Sequence, residues 1–195
     1  MSQVVRIFVN QSNFGEVVLI NLSDDMAVSC ETVNKVTACF NEHKDLVGYN
    51  LKGPISSLKP GYNKPTHSLM KIVNDELIEA GFEAIDCDFK PHLLVGYVET
   101  CIEHPDSDHL HICSVNVGKH VKTIVCGAAN VEAGIKVVAA LDNAVLPDGK
   151  LIKPSSLRGV HSDGMLCSKW ELRLIDHPEK GILILDDSYE IGSEF

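Results

Sequence analysis

The spacing of apolar and polar positions changes near residues 90–92, which divides the chain into two regions. In the first region, the β-branched runs 4–10 and 16–22 flank a polar turn, a pattern that predicts a hairpin. The runs 31–40 and 46–51 flank a second polar turn and predict another hairpin. We therefore expect a small sheet at the start of the chain.

One segment of this first region has helical periodicity. Between residues 66 and 82, apolar side chains recur at helical spacing: Leu69, Ile72, Val73, Leu77 and Ala80. Thr66 or Ser68 can cap the start of the predicted helix, and Gly81 can end it. The Gly- and Pro-rich segment 53–65 predicts a loop. Residues 1–91 are thus predicted to form an α+β domain with two hairpins and one helix.

The second region lacks helical periodicity and instead carries short apolar, β-branched runs. These runs are 94–103, 110–118, 121–127, 136–141, 164–168 and 181–185. Gly, Asp, Asn and Pro turns separate them. Five or six short strands in about 100 residues predict a sandwich or a closed barrel. Residues 92–195 are therefore predicted to form an all-β domain.

Composition restricts the class of protein. With 195 residues and 45% hydrophobic content, the chain can bury a core in one or two domains. Its apolar runs are too short for a membrane span, and we find no signal-peptide pattern at the N-terminus. The seven cysteines form no Cys-x-x-Cys pair and mostly have apolar neighbours, which is typical of reduced cysteines in a cytosolic protein. We expect a cytoplasmic protein with no membrane partner.

The charge distribution singles out one stretch of the second region. The formal net charge of -10 opposes long-range attraction of polyanions. Residues 150–173 nevertheless hold five basic and two acidic residues, a local charge of +3. This window contains "LRGVHSDGMLCS", residues 157–168, in which two glycines indicate a tight turn or a close approach to the main chain.

A zinc site and an enzyme active site are both disfavoured. The segment 101–113, "CIEHPDSDHLHIC", offers several candidate zinc ligands, and His109, His111 and Cys113 would share one face of a strand. A polar turn between two strands explains the same residues more simply, so we expect no metal and no cofactor. The chain contains no nucleophile elbow, phosphate loop or paired-carboxylate signature, so we expect no enzyme.

Several stretches carry a resemblance to a known family. They read "VGYVETCIEHPDSDHLHICSVNVG", "IVCGAANVEAGIKVVAAL", "AVLPDGKLIKPSSLRGVHSDGMLCSKWEL" and "GILIL". In this order they resemble the tRNA-binding OB domain of the bacterial phenylalanyl-tRNA synthetase β subunit, of free-standing tRNA-binding proteins and of EMAP II-type cytokines. The first half resembles the leading domain of the YtpR family of stand-alone cytoplasmic proteins, and the whole chain is similar to that family.

The resemblance implies a fold, a ligand and a set of contact residues. It implies a five-stranded Greek-key OB barrel that binds tRNA or another structured RNA, rather than DNA. The matched motif positions are Asn130, Arg158, Gly159, Ser162, Gly164 and Met165. Lys122, Lys153 and Lys169 are candidates for supplying positive charge. Free-standing relatives of this barrel are often dimers, so the resemblance also allows a homodimer.

One departure from the family pattern supports an alternative function. The family's turn reads His-Pro-Asn-Ala-Asp followed by Lys or Arg and Leu, whereas this chain has "HPDSDHL", with Asp106 and His109 at the altered positions. The turn is therefore more acidic, and few aromatic residues are available for stacking. The alternative is a protein–protein interaction module that keeps the OB scaffold and has lost RNA binding. A fragment of the synthetase is disfavoured, because the first half does not match it.

Overall fold

The computed structural model describes residues 3–9, 16–53, 55 and 58–195. The chain forms two compact units, Met1–Lys90 and Pro91–Phe195, which we call the first and second units. The described residues are mostly β-strand, with a single helix. No helix among them has both the length and the apolar character needed to cross a bilayer.

The first unit contains a six-stranded antiparallel sheet with the order β3-β4-β5-β2-β1-β6. Its strands are β1 (Arg6–Val9), β2 (Val17–Asn21), β3 (Ser29–Val33), β4 (Val36–Phe40), β5 (Leu46–Lys52) and β6 (Gly61–Asn63). Apolar residues that alternate along β2 and β4 point to one face and bury Val18, Ile20, Val36 and Ala38 there.

The helix α1, His67–Glu79, packs against that buried face of the sheet. Thr66 caps its start, where the side chain accepts a hydrogen bond from the Leu69 N–H, and Gly81 ends it with φ +85°. Leu69, Val73 and Leu77 are buried in the core as the spacing predicts. Ile72 is 42% exposed and lies outside the buried stripe.

The sequence predicted part of this unit correctly. The pairing of β1 with β2 and of β4 with β5 is confirmed. The predicted turn between β1 and β2, residues 11–15, lies outside the described part. The prediction of one strand over residues 31–40 is wrong, because the chain reverses at Asn34, whose φ is +54°. The predicted loop 53–65 is partly wrong, because β6 pairs with β1.

The second unit is β barrel-like and is built around a five-stranded path, β13-β10-β7-β8-β9. The strands are β7 (Leu93–His104), β8 (Ser107–Asn116), β9 (Val121–Cys126), β10 (Lys136–Leu141), β11 (Ser155–Leu157), β12 (Val160–Ser162), β13 (Gly164–Leu166) and β14 (Ile184–Leu185). Each of the six predicted strand runs overlaps an observed strand. The β11–β12 hairpin was not predicted as strands.

Strand β10 has apolar side chains on both faces, which explains its uninterrupted apolar sequence. Val137 and Ala139 belong to the interior cluster of the barrel. Val138 and Ala140 belong to a second cluster, formed with Leu146 and other side chains from segments that follow β10. Burial on both faces removes the polar alternation that a half-exposed strand shows.

Candidate nucleic-acid interface

The basic stretch identified in the sequence forms a hairpin that projects Arg158 and Gly159 at its tip. Strand β11 pairs with β12, and Leu157 lies opposite Val160. Arg158 has φ +45° and Gly159 has φ +84°, the combination that a two-residue type I′ turn requires. A Cβ added at Gly159 would meet nothing within 4 Å. Gly159 is therefore required by the turn conformation, and its main chain stays open to solvent.

Ser162 lies buried between β9 and the start of β13 and is hydrogen-bonded to both. Its side chain is fully buried, and its hydroxyl accepts a hydrogen bond from the Val125 N–H at 3.0 Å and donates to the Gly164 carbonyl at 2.8 Å. Next to it, the Asp163 N–H donates to the Thr123 carbonyl at 2.8 Å. These bonds join β9 to the segment before β13. The structure thus gives the Ser162 hydroxyl an internal role. The RNA contact that the sequence led us to expect at Ser162 stays a prediction.

Gly164 and Met165 also belong to the packing of the barrel. A Cβ at Gly164 would lie 2.1 Å from the Ala140 carbonyl oxygen, so only glycine lets β13 approach β10 this closely. Met165 is partly buried and packs against the second apolar cluster around Val138 and Leu146. The glycine of the motif "SDGM" serves strand packing. The RNA approach expected at Gly164 stays a prediction.

Asn130 fixes the loop that precedes β14. Its side-chain oxygen accepts the Ile182 N–H at 2.9 Å, and its amide donates to the Ile182 carbonyl at 3.0 Å. The amide therefore makes a paired set of bonds to one residue, 52 positions away in the chain. Asn130 is exposed, and two of its hydrogen-bonding groups bind the main chain of the fold. Its expected contact with RNA stays a prediction.

Four cations from the sequence prediction remain at or near the surface. Lys153, Arg158 and Lys169 are exposed, and Lys122 is half-buried. Arg158 donates from Nη1 to the Asp106 carbonyl at 3.0 Å, and Lys169 lies 3.6 Å from Glu179. An exposed pair of this kind contributes only about 0–1 kcal/mol, so Lys169 can exchange Glu179 for another anion. Within the described residues, Lys122 and Lys153 have no ion pair.

The structure gives a role to His104, which the sequence offered only as one of the candidate zinc ligands of segment 101–113. The imidazole is 3% exposed, its Nδ1 accepts the Asp106 N–H at 3.1 Å, and its Nε2 lies 3.2 Å from the Leu157 carbonyl oxygen. Because Nδ1 accepts a hydrogen bond, the proton lies on Nε2, which donates to Leu157. His104 therefore links the β7–β8 turn to the hairpin that carries Arg158.

A second surface feature follows β13. The Arg173 guanidinium lies 5.1 Å from the centroid of the Trp170 ring, a cation–π distance. Ser168 and Glu171 organise this turn, since the Glu171 carboxylate accepts both the main-chain N–H and the hydroxyl of Ser168. Trp170 is half-buried and Arg173 is exposed. In the sequence, Arg173 stood out only as part of the basic window 150–173, and Trp170 only as one of few aromatic residues.

Comparison with known proteins defines the class to which this barrel and its basic hairpin belong. Residues 93–194 match the family model described as "Putative tRNA binding domain". This range covers the barrel, the hairpin and the Trp170–Arg173 turn, and it stops short of the first unit. The class is that of proteins with a tRNA-binding domain.

Relatives of the whole chain narrow the class further. The chain is 42% identical over 96% of its length to the "Putative tRNA-binding protein YtpR" of Bacillus subtilis (strain 168), of which it covers 98%. It is 44% identical over 66% of its length to the phenylalanine–tRNA ligase β subunit of Sulfurimonas denitrificans, but spans only 17% of that subunit. The chain therefore belongs to the YtpR family.

Solved structures include partial matches to the chain. A MetRS-related protein from Pyrococcus horikoshii is 20% identical, with a TM-score of 0.41 over 53% of this chain and 87% of the other. The C-terminal domain of Plasmodium vivax p43 is 26% identical, with a TM-score of 0.38 over 52% of this chain and 58% of the other.

Proposed function

We propose that this protein is a non-catalytic RNA-binding protein that binds tRNA on its second unit, around the β11–β12 hairpin. The YtpR family membership and the tRNA-binding domain over residues 93–194 support tRNA as the ligand. The ligand is RNA rather than DNA, and binding takes place in the cytoplasm without a membrane.

The second unit is proposed to be a five-stranded Greek-key OB barrel. Two observations support this assignment. In the strand order β13-β10-β7-β8-β9, the first strand of the unit, β7, lies between β10 and β8. The bonds of Thr123 with Asp163 join the two edges of that path. An OB barrel binds its ligand on one face of the closed sheet.

The contact residues that we propose are exposed cations of the second unit, with Arg158 at the centre. Arg158 carries the proposal, because it stands at the tip of a turn whose conformation is fixed and is anchored by the Asp106 carbonyl. A guanidinium held in place loses less conformational entropy when it binds a phosphate. Lys153, Lys169 and Lys122 are further contact candidates that add positive charge to the unit, and the Gly159 main chain is open for a phosphate or ribose.

The serine hydroxyl groups near the hairpin are bonded within the fold, which supports a non-catalytic function. Ser162 is buried and bonded to the main chain, and the Ser168 hydroxyl donates to Glu171 at 2.7 Å. Neither serine has a histidine positioned as a base among its hydrogen-bond partners. We therefore assign Ser162, Gly164, Met165 and Asn130 to the scaffold that holds the contact surface.

The alternative function is a protein–protein interaction module on the same barrel. The exposed Asp106 next to Arg158 favours it, since its carboxylate lowers the positive potential at the hairpin tip. The net charge of -10 acts in the same direction.

Binding of bulk tRNA across a salt series separates the two functions. We expect micromolar or weaker binding at low salt that weakens as salt rises, because the basic charge is local and the overall field is repulsive. No detectable binding at low salt would support the interaction module. An equal affinity for double-stranded DNA would contradict the proposed preference for RNA.

A further inference from the structure

Two cysteines of the first unit face each other across the β3–β4 hairpin. Cys30 is the direct partner of Cys39 in the antiparallel register, and their Sγ atoms lie 3.4 Å apart. Directly opposite residues in such a ladder have Cα atoms about 4.5–5.5 Å apart, which lies inside the range that a disulfide spans. The two sulfur atoms are therefore placed for bond formation without a rearrangement of the backbone.

The position of the pair within the hairpin favours close approach of the side chains. Opposite pairs alternate between hydrogen-bonded and non-hydrogen-bonded sites, counted from the Val33–Val36 pair beside the turn. Cys30–Cys39 falls on a non-hydrogen-bonded site, where side chains lie closest. Thr32 and Thr37 occupy the next such site on the same face, and their hydroxyl oxygens are 3.0 Å apart.

The two thiols differ in access to solvent. Cys30 is exposed and lies on β3, which is an edge strand of the sheet. Cys39 is 9% exposed and accepts a weak hydrogen bond from the Asn50 amide at 3.7 Å. Burial, together with the hydrogen bond to Cys30, raises the pKa of Cys39 to about 11. The pair thus combines one thiol that solutes can reach with one partner thiol that they cannot.

We propose that Cys30 and Cys39 are a redox modification site that forms a reversible intramolecular disulfide with hydrogen peroxide as the oxidant. The Cys30 thiolate attacks one peroxide oxygen, the O–O bond breaks, and water leaves, which gives a sulfenic acid on Cys30. The Cys39 sulfur then attacks the Cys30 sulfur and releases a second water. In total, two thiols are oxidised, one peroxide is reduced, and two water molecules form.

Reduction of the disulfide begins at the exposed sulfur atom, that of Cys30. A small dithiol attacks Cys30 Sγ, the S–S bond breaks, and the Cys39 sulfur leaves and takes up a proton. The second sulfur of the dithiol then displaces Cys30 and closes into a disulfide of its own. Access to Cys30 makes both directions feasible.

The second unit contains an internal control for this proposal. Cys101 and Cys113 are also direct cross-strand partners, with Sγ atoms 3.8 Å apart. Cys113 is fully buried inside the barrel, and burial strongly raises its pKa. Cys101 is partly buried, and its thiol is directed at the Val131 carbonyl. This pair has proximity without an exposed thiol, so access rather than distance distinguishes the two.

The test uses the full-length protein, treated with hydrogen peroxide, alkylated under native and then denaturing conditions, and digested for mass spectrometry. We expect a linked peptide pair containing Cys30 and Cys39, two hydrogen atoms lighter than the reduced pair and reversed by dithiothreitol. We expect Cys101 and Cys113 to stay reduced and to be recovered as alkylated thiols. In Cys39→Ser, dimedone should label Cys30 as the sulfenic acid, whereas in Cys30→Ser it should not label Cys39.

Two results would overturn the proposal. One is the recovery of both Cys30 and Cys39 as alkylated thiols after peroxide has oxidised other cysteines or methionines of the same sample. The other is a disulfide that joins Cys30 to another chain or to a different cysteine. Because the site lies in the first unit, neither result depends on whether the second unit binds tRNA.

Discussion

His104 is hydrogen-bonded to Leu157 across 53 residues of sequence, with 3.2 Å between the imidazole Nε2 and the carbonyl oxygen. This bond joins the end of β7 to the strand that leads to Arg158. Arg158 in turn donates to the carbonyl of Asp106, two residues after His104. Two hydrogen bonds therefore connect the β7–β8 turn to the β11–β12 hairpin. His104 donates from the turn to the hairpin, and Arg158 donates from the hairpin to the turn.

Substitutions at His104 should separate these two bonds. Gln keeps a donor near the Nε2 position, and Asn keeps an acceptor near the Nδ1 position. Both should lower the free energy of unfolding by about 0.5–1.5 kcal/mol, because each breaks one of the two hydrogen bonds of the buried imidazole. We expect tRNA affinity to fall more for His104→Asn than for His104→Gln, since only Gln retains the link to the hairpin.

Thermal denaturation and tRNA titration of the two variants check this prediction. Nitrogen NMR of the parent should also show His104 with Nδ1 unprotonated and Nε2 protonated. Equal affinities for the two variants would mean that the link to Leu157 does not position Arg158.

Ser162→Ala should destabilise the protein and leave tRNA binding unchanged when measured well below the melting temperature. The substitution leaves the buried Val125 N–H without its acceptor, which costs about 1–3 kcal/mol. Chemical denaturation and tRNA titration at the same temperature measure the two effects. A tenfold loss of affinity in a fully folded variant would restore Ser162 to the contact surface.

Stability should fall as the solution becomes alkaline. Burial, with a further contribution from Glu171, raises the pKa of Cys167 to about 12, and burial raises the pKa of Cys87 to about 11. A thiol in the unfolded chain ionises near pH 8.5. The unfolded state therefore loses protons first, and the stabilisation present below that pH is lost as the pH rises towards these folded values.

Melting temperatures between pH 8 and pH 11 measure this dependence. In Cys167→Ala the fall should be shallower than in the parent, although the variant starts from a lower melting temperature. Identical slopes for the two proteins would show that Cys167 does not ionise differently in the two states.

The sequence predicted most strands of the second unit because each has a short apolar run between turn residues. It failed at residues 31–40, where Asn34 and Lys35 reverse the chain without glycine or proline. Both halves of that hairpin are β-prone, so they resemble one longer strand. Segment 61–63 was missed because its pairing with β1 is a tertiary contact and not a local preference.

The sequence also predicted only part of the candidate site, because it does not reveal tertiary hydrogen bonds. Residue type and local charge identified Arg158 and Lys153, which are exposed. The same reasoning assigned Ser162 and Asn130 to RNA contacts, because a polar residue in a motif does not reveal whether its partner is RNA or the main chain. Both bind main-chain groups from segments 37 and 52 residues away. The sequence offered His104 only as a candidate zinc ligand, because its bond to Leu157 joins residues 53 positions apart.

The salt dependence of tRNA binding in Arg158 variants tests the central proposal most directly. Arg158→Ala should weaken binding and lower the magnitude of the salt slope by about one unit, because one phosphate contact is removed. Arg158→Lys should keep the slope, since the charge is retained. Lys52→Ala removes one exposed positive charge from β5 of the first unit and should bind like the parent. If Arg158→Ala matches the parent and Lys52→Ala in both affinity and slope while remaining folded, tRNA does not bind at the hairpin.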